Sequence, residues 1–137
     1  RRHTILARQM PDADPGLDTD VMLRGFEHGV AASLAGGAGL LQSLFQIRVR
    51  GLFDELPGAV APAALSGLLI GAEIAEGLGL CKRWGIAETT PHLVGGDLLL
   101  ARYRAAFAFA GIATTTAGED AAAHGLWRIA RQRGLVA

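Results

Sequence analysis

The sequence predicts an α/β chain that is mostly helical and ends in a small parallel β-α-β-α unit. Three observations point there. Residues 61–80 carry an apolar helical pattern long enough to be the spine of a domain. From Gly85 onward short β-rich runs alternate with helical ones. Each of those short runs also breaks on a glycine turn, Gly95-Gly96 after the first and Ala117-Gly118 after the second.

The elements follow in order. Pro11 to Gly16 reads as a turn-rich connection, and Asp18 as the N-cap of a first helix that turns Val21, Met22, Phe26 and Val30 inward. Gly25 and Gly29 weaken that helix by about 1 kcal/mol each, so either packing compensates or Gly29 marks a local end. Gly36-Gly37-Ala38-Gly39 breaks the chain before a second amphipathic segment, with Leu41, Leu44, Phe45 and Leu52 near one face, Arg48 beside them, and Gly51 as a loosening point.

Pro62 opens the third helix at a permitted first-turn position. Within it Ala63, Gly67, Gly71, Ala75 and Gly79 recur at four-residue spacing, a smooth stripe that lets another backbone approach closely. Glu73 is the charge inside Leu65 to Ala75, and needs a partner, a water pocket or a surface outlet. Beyond Gly85 the pattern predicts a strand over 90–94, a helix over 97–110, a second strand over 112–116 and a terminal helix over 119–133. A crossover helix between neighbouring strands implies parallel pairing and places both glycine turns at the carboxyl edge, where open α/β sheets bind ligands.

Composition narrows the function classes. The 137 residues are one domain's worth, half of them hydrophobic, and thirteen basic residues balance thirteen acidic ones. That balance offers no basic field, so neither nucleic acid nor an anionic membrane is an expected partner. The longest apolar stretch, Leu65 to Ala72, closed off by Pro62 and Glu73, is far short of the roughly 20 residues of a bilayer span, so no membrane helix is expected. The single cysteine, Cys81, fits a reducing cytoplasm; Lys82 and Arg83 beside it favour a thiolate, although an incidental thiol is the simpler reading. The chain opens on Arg1-Arg2-His3 and reads as part of a longer polypeptide.

The chemistry-bearing residues are sparse. His3, His28, His92 and His124 lack metal-ligand spacing, and Ser33, Ser43 and Ser66 lack a nucleophile-elbow setting. No metal site and no catalytic residue is therefore assigned. Trp84 and Trp127 read as packing residues rather than stacking platforms. The candidate binding feature is His92-Leu93-Val94-Gly95-Gly96-Asp97, where two residues without Cβ let a ligand approach the main chain just ahead of a helix N-terminus. Asp97, Glu119 and Asp120 follow the two glycine turns, and helix capping explains all three.

Phe26-Glu27-His28-Gly29, Leu44-Phe45-Gln46-Ile47-Arg48, Ser66-Gly67-Leu68-Leu69-Ile70-Gly71-Ala72-Glu73, and Leu93-Val94-Gly95-Gly96 with Ala101-Arg102-Tyr103 form a series in that order. The series resembles the C-terminal half of the 2-dehydro-3-deoxygalactonokinase family, sugar-acid kinases of the actin-like (ribonuclease H-like) ATPase superfamily, from about His3 to Ile129. The resemblance implies one C-terminal nucleotide-binding lobe over 1–137, with a lead-in over 1–16, a helical part over 17–84 and the β-α-β-α part over 85–137. It implies ATP and Mg2+ as cofactors, phosphorylation of 2-dehydro-3-deoxy-D-galactonate at its 6-hydroxyl, and a second, N-terminal lobe without which the chain is inactive. Gly95 and Gly96, with Asp97 and Leu98, become the nucleotide contacts, and Arg48 and Glu73 candidates for the cleft between lobes or, equally, for an ion pair or a solvated surface. A competing reading is a helical assembly module that docks a partner helix, or a second copy, on the Gly67/Gly71/Ala75 stripe.

Overall fold

In a computed structural model of the chain, residues 16–36, 39–86, 90–118 and 120–136 are described. Residues 1–15 of the expected lead-in over 1–16, Gly37 and Ala38 of the expected break, and Glu119 lie outside them. The chain divides into two compact units, Arg1–Glu88 and Thr89–Ala137.

The first unit is three helices, α1 (Asp20–Leu34), α2 (Leu40–Leu52) and α3 (Ala61–Arg83). Thr19, not Asp18, caps α1: its extended backbone lets the hydroxyl accept from the Met22 N–H at 3.3 Å. The helix continues through Gly29 to Leu34, so that glycine is no local end. Its buried face is Phe26, Gly29 and Val30, while Val21 is half exposed rather than inward.

The reason both glycines persist in α1 is α3. A Cβ on Gly29 would collide with the Ala64 carbonyl oxygen, and one on Gly67 with the Phe26 carbonyl oxygen. At Gly71 a Cβ would stand 3.0 Å from Val30 Cα and 3.0 Å from Ser33 Cβ. The two helices thus meet backbone to backbone over their glycines, and the Ser33 hydroxyl ties them by donating to the Leu68 carbonyl at 2.6 Å. The Gly67/Gly71 part of the stripe is consumed inside the chain, which removes it as a docking face for a partner helix. Around it lie Ala63, Ala64, Leu68, Ile70 and Ile74, all buried, and Leu56, Val60, Ala61 and Ala64 form a cluster joined by Met22 and Ile47.

Two expectations change here. Helix α2 turns Ser43 inward with Leu44 and Ile47 partly buried beside it, and leaves Leu41, Phe45 and Leu52 exposed. The apolar stretch Leu65 to Ala72 also understates α3. It is 23 residues long with a mean hydropathy of 1.5 over its best window, so by length and composition it is long enough to cross a membrane. Its face against α1 is buried, and that accounts for part of the composition: 33% of the window is buried, while Leu69 and Leu78 are exposed.

The second unit holds β1 (His92–Leu93), α4 (Asp97–Phe109), β2 (Thr115–Thr116) and α5 (Ala121–Gln132). The strands pair in parallel, His92 with Thr115 and Leu93 with Thr116, as the β-α-β pattern predicts. Both are shorter than expected, for local reasons. Pro91 has no N–H to extend the ladder, although its carbonyl accepts from Thr115 at 3.0 Å. Ile112 is occupied in stopping α4: Gly111 sits at φ +73° and the Ile112 N–H returns to the Phe107 carbonyl at 2.9 Å. Gly85 ends α3 and Gly134 ends α5 in the same way. Trp84 and Trp127 are both well exposed, contrary to a packing role; the Trp127 ring lies under the Arg131 guanidinium, 5.3 Å from its centroid.

Candidate functional site

The site is built where β1 and β2 end. A side-chain hydrogen bond of 2.7 Å joins His92 Nδ1 to Thr115 Oγ1 across the register, and the Ala117 N–H donates to the Leu93 carbonyl at 3.0 Å. These bonds bring the two glycine turns to one edge of the sheet. After β1 the chain passes through Gly95 to Gly96, whose extended conformation (φ −74°, ψ 153°) makes it the N-cap of α4. The Gly96 carbonyl then accepts from Leu99 and Leu100 at 3.1 and 2.9 Å.

Asp97 is therefore the first helical residue and not the cap. No side-chain cap bond is made at the start of α4, and none by Asp120 at the start of α5, so capping does not explain these carboxylates. What remains is the favourable interaction of a carboxylate in the first turn with the helix dipole. A Cβ at Gly95 would find only Leu100, at 3.9 Å, and one at Gly118 nothing within 4 Å. Val94 and Leu98 are more than half exposed, so the bend is open to solvent on its outer side.

Two clefts flank α4. One, of about 320 Å3, is bounded by Gly96, Asp97, Leu98, Leu99 and Arg102. The other, of about 380 Å3, has Asp97, Leu100, Ala101 and Arg104 on one wall and Thr116, Ala117 and Gly118 on the other. The structure thus brings Asp97 into both clefts, Gly96 and Leu98 into the first, and the second glycine turn opposite Asp97 in the second. A further groove of about 470 Å3 runs along α3 past Ala75, Glu76, Gly79, Leu80 and Arg83. All of its wall comes from one helix, as does that of the 320 Å3 cleft, which α4 and its cap residue Gly96 line alone; only the 380 Å3 cleft has the converging elements that hold a small ligand.

Arg48 and Glu73 belong to the first unit and line none of these three clefts; Arg48 is half-buried on α2 and Glu73 exposed on α3. Sequence reasoning missed Arg102 and Arg104. Both were legible from helical spacing: Ala101 and Arg104 follow Asp97 at i+4 and i+7, and Arg102 follows Leu98 at i+4. Among the described residues no group of three or more histidine, cysteine, aspartate or glutamate side chains could hold a metal ion.

Comparison with known proteins decides the family. The profile described as 2-keto-3-deoxy-galactonokinase matches residues 1–129. The chain belongs to this family. It is 30% identical over 129 residues to the 2-dehydro-3-deoxygalactonokinase of Escherichia coli (strain K12), an alignment that covers 93% of this chain and 40% of that protein. The chain thus spans 40% of the length of that curated relative. No solved structure matches. Both clefts and both glycine turns of this 2-keto-3-deoxy-galactonokinase family member fall inside the matched residues, as do the whole of α1, α2 and α3.

Proposed function

We propose that this chain is the C-terminal, nucleotide-binding lobe of a cytoplasmic 2-dehydro-3-deoxygalactonokinase with an actin-like ATPase fold. The complete enzyme transfers the terminal phosphoryl group of ATP to the 6-hydroxyl of 2-dehydro-3-deoxy-D-galactonate. The observation that carries this reading is the open carboxyl edge of the β1–β2 pair, where the first two turns of α4 and the Thr116-Ala117-Gly118 turn wall an open cleft of about 380 Å3 beside the Gly95-Gly96 bend. The family match makes the nucleotide the natural occupant.

The residues present suit an adenine nucleotide. Gly95 and Gly96 admit it close to the main chain, Leu98 offers an exposed apolar surface for a base, and the first N–H groups of α4 lack intrahelical acceptors. Asp97 would repel a bare phosphate, so we assign it to a sugar hydroxyl, or to a water of the magnesium ion that accompanies the phosphates. A divalent ion coordinated mainly by substrate phosphates needs no cage of protein ligands, and a single carboxylate in the cleft accords with that. Bound Mg2+ supplies neutralisation of the phosphate charge.

The chain alone is inactive in this reading. Phosphoryl transfer depends on positioning both substrates and neutralising developing charge, and no acid–base pair is assembled in either cleft. Arg48 and Glu73 stay candidates for the surface that faces the second lobe. Exposed Leu41, Phe45, Phe53, Trp84 and Leu126 are the sort of apolar surface a larger protein covers.

Gly95→Val tests the assignment directly. A Cβ there meets only Leu100, at 3.9 Å, so the position has room for a side chain, and the branched one should fill the approach to the main chain. ATP should shift the backbone amide resonances of 95–98 in the wild-type chain and leave those of the valine variant unmoved. Equal ATP response in the two proteins would refute the site.

A further inference from the structure

Arg104 is distinguished among the arginines of the described residues by its place in the cleft that α4 and the Thr116-Ala117-Gly118 turn share. Arg50 receives two claims, donating to His28 Nε2 at 2.7 Å and lying 3.9 Å from Glu55, and Arg131 covers the Trp127 ring. Arg104 takes part in no hydrogen bond or ion pair among the described residues, although it is exposed on the wall of the 380 Å3 cleft that Asp97 also lines. A guanidinium is always charged and presents a planar fork of donors that matches phosphate oxygens. With no carboxylate partner among the described residues and a place on the wall of a cleft, it is suited to a ligand anion.

The spacing sets which part of a ligand goes where. Asp97 and Arg104 are seven residues apart on α4, so about 10 Å separates them along the helix axis at 1.5 Å per residue. The cleft is therefore polarised. A carboxylate stands at the Gly95-Gly96 end and a guanidinium two turns further on, with Leu100 and Ala101 between them. A complementary ligand carries hydroxyl donors at one end and an anion roughly 10 Å away, which is the separation between a ribose and the outer phosphates of a nucleoside di- or triphosphate.

Resting on the nucleotide reading above, we propose that Arg104 binds the outer phosphates of the nucleotide while Asp97 takes the ribose hydroxyls, so that Arg104 makes this cleft select nucleoside polyphosphates over nucleosides. The ligand then lies along the first two turns of α4 and under the Thr116-Ala117-Gly118 turn. Asp97 does not oppose this, because the phosphates lie at the far end from its charge.

Amide chemical-shift titrations of the full 137-residue chain, with ATP, adenosine and inorganic tripolyphosphate as three separate probes, test the proposal. Arg104→Gln should weaken ATP and tripolyphosphate by about tenfold, the scale of one lost charge-assisted hydrogen bond, and leave adenosine unchanged. Arg104→Lys should recover part of the ATP affinity, and the spectrum of each variant reports that it is folded. Equal weakening of ATP and adenosine would place Arg104 on the base or sugar and overturn the proposal. Unchanged ATP affinity in Arg104→Gln, while Gly95→Val abolishes binding, would overturn it and leave the nucleotide site standing. If ATP moves no resonance near 95–98 or 116–118 in the wild-type chain, both readings fall.

Discussion

Gly67→Ala and Gly77→Ala are the same chemical change on the same helix, and the structure gives them opposite signs. At Gly67 a new Cβ would collide with the carbonyl oxygen of Phe26 and stand 3.1 Å from its Cα. Those atoms are backbone and cannot rotate aside, so α1 and α3 must part along a contact that also carries Phe26, Val30 and Leu68, each almost fully buried. Overpacking a core costs about 1–3 kcal/mol, and a rigid obstacle puts Gly67 at the upper end of that range. The gain in helix propensity from glycine to alanine returns about 1 kcal/mol, which leaves a net loss near 2 kcal/mol. At Gly77 a Cβ meets nothing within 4 Å, so only the propensity gain survives, about 0.5–1 kcal/mol of added stability. The two variants should therefore differ by about 3 kcal/mol. Urea denaturation followed by far-ultraviolet circular dichroism measures that difference. Propensity cancels between the two, so the gap reports packing alone. Shifts of the same sign and size in both variants would refute the close backbone contact.

Three further outcomes follow from local geometry, with the Gly95→Val experiment already described. Ser33→Ala removes the hydroxyl that donates to the Leu68 carbonyl at 2.6 Å and should lower the unfolding free energy by about 1 kcal/mol in the same denaturation assay. Asp54 sits at φ +56° just after α2, so Asp54→Gly should be neutral to stabilising by up to about 1 kcal/mol, whereas Asp54→Val should destabilise. Glu55→Gln should leave the urea midpoint nearly unchanged, because its 3.9 Å pairing with Arg50 is mostly solvated.

The helical part was legible wherever one periodicity governed a long segment. Helix α3 was readable from its apolar pattern and Pro62, and its four-residue glycine spacing announced that a backbone would come close. The identity of that backbone was not readable, because close approach is a property of two helices and the spacing describes one. The other half of the contact was in view as Gly25 and Gly29, which looked like weaknesses of α1 taken alone. A Cβ on Gly25 would collide with Val60 and one on Gly29 with Ala64, so the cost in propensity is the condition of the contact. Helix α2 misled for the converse reason. Its apolar residues mark a broad face, but only Ile47 of them joins the core cluster while Ser43 is the residue fully buried, and apolarity does not say which side of a helix fits the space available.

At the candidate site the sequence revealed backbone features more readily than side-chain ones. Gly95-Gly96 interrupts a pattern and so is visible in one dimension, as is the acidic residue that follows it. Arg104 interrupts nothing, and becomes visible only when α4 is folded and residues 97, 101 and 104 fall on one side. The reading of Asp97 as a cap failed through the same one-dimensional habit: the cap position is defined by backbone angles, and Gly96 holds them. Moving the carboxylate one residue into the helix alters its chemistry. A capping aspartate would have its acceptors committed to the α4 N–H groups, whereas one at the first helical position keeps the dipole's stabilisation while lining both clefts. Asp97 and Arg104 share a wall of one cleft about 10 Å apart along the helix axis, too far to pair with each other, which leaves the proposed division of ribose and phosphates between them open to the Arg104→Gln test.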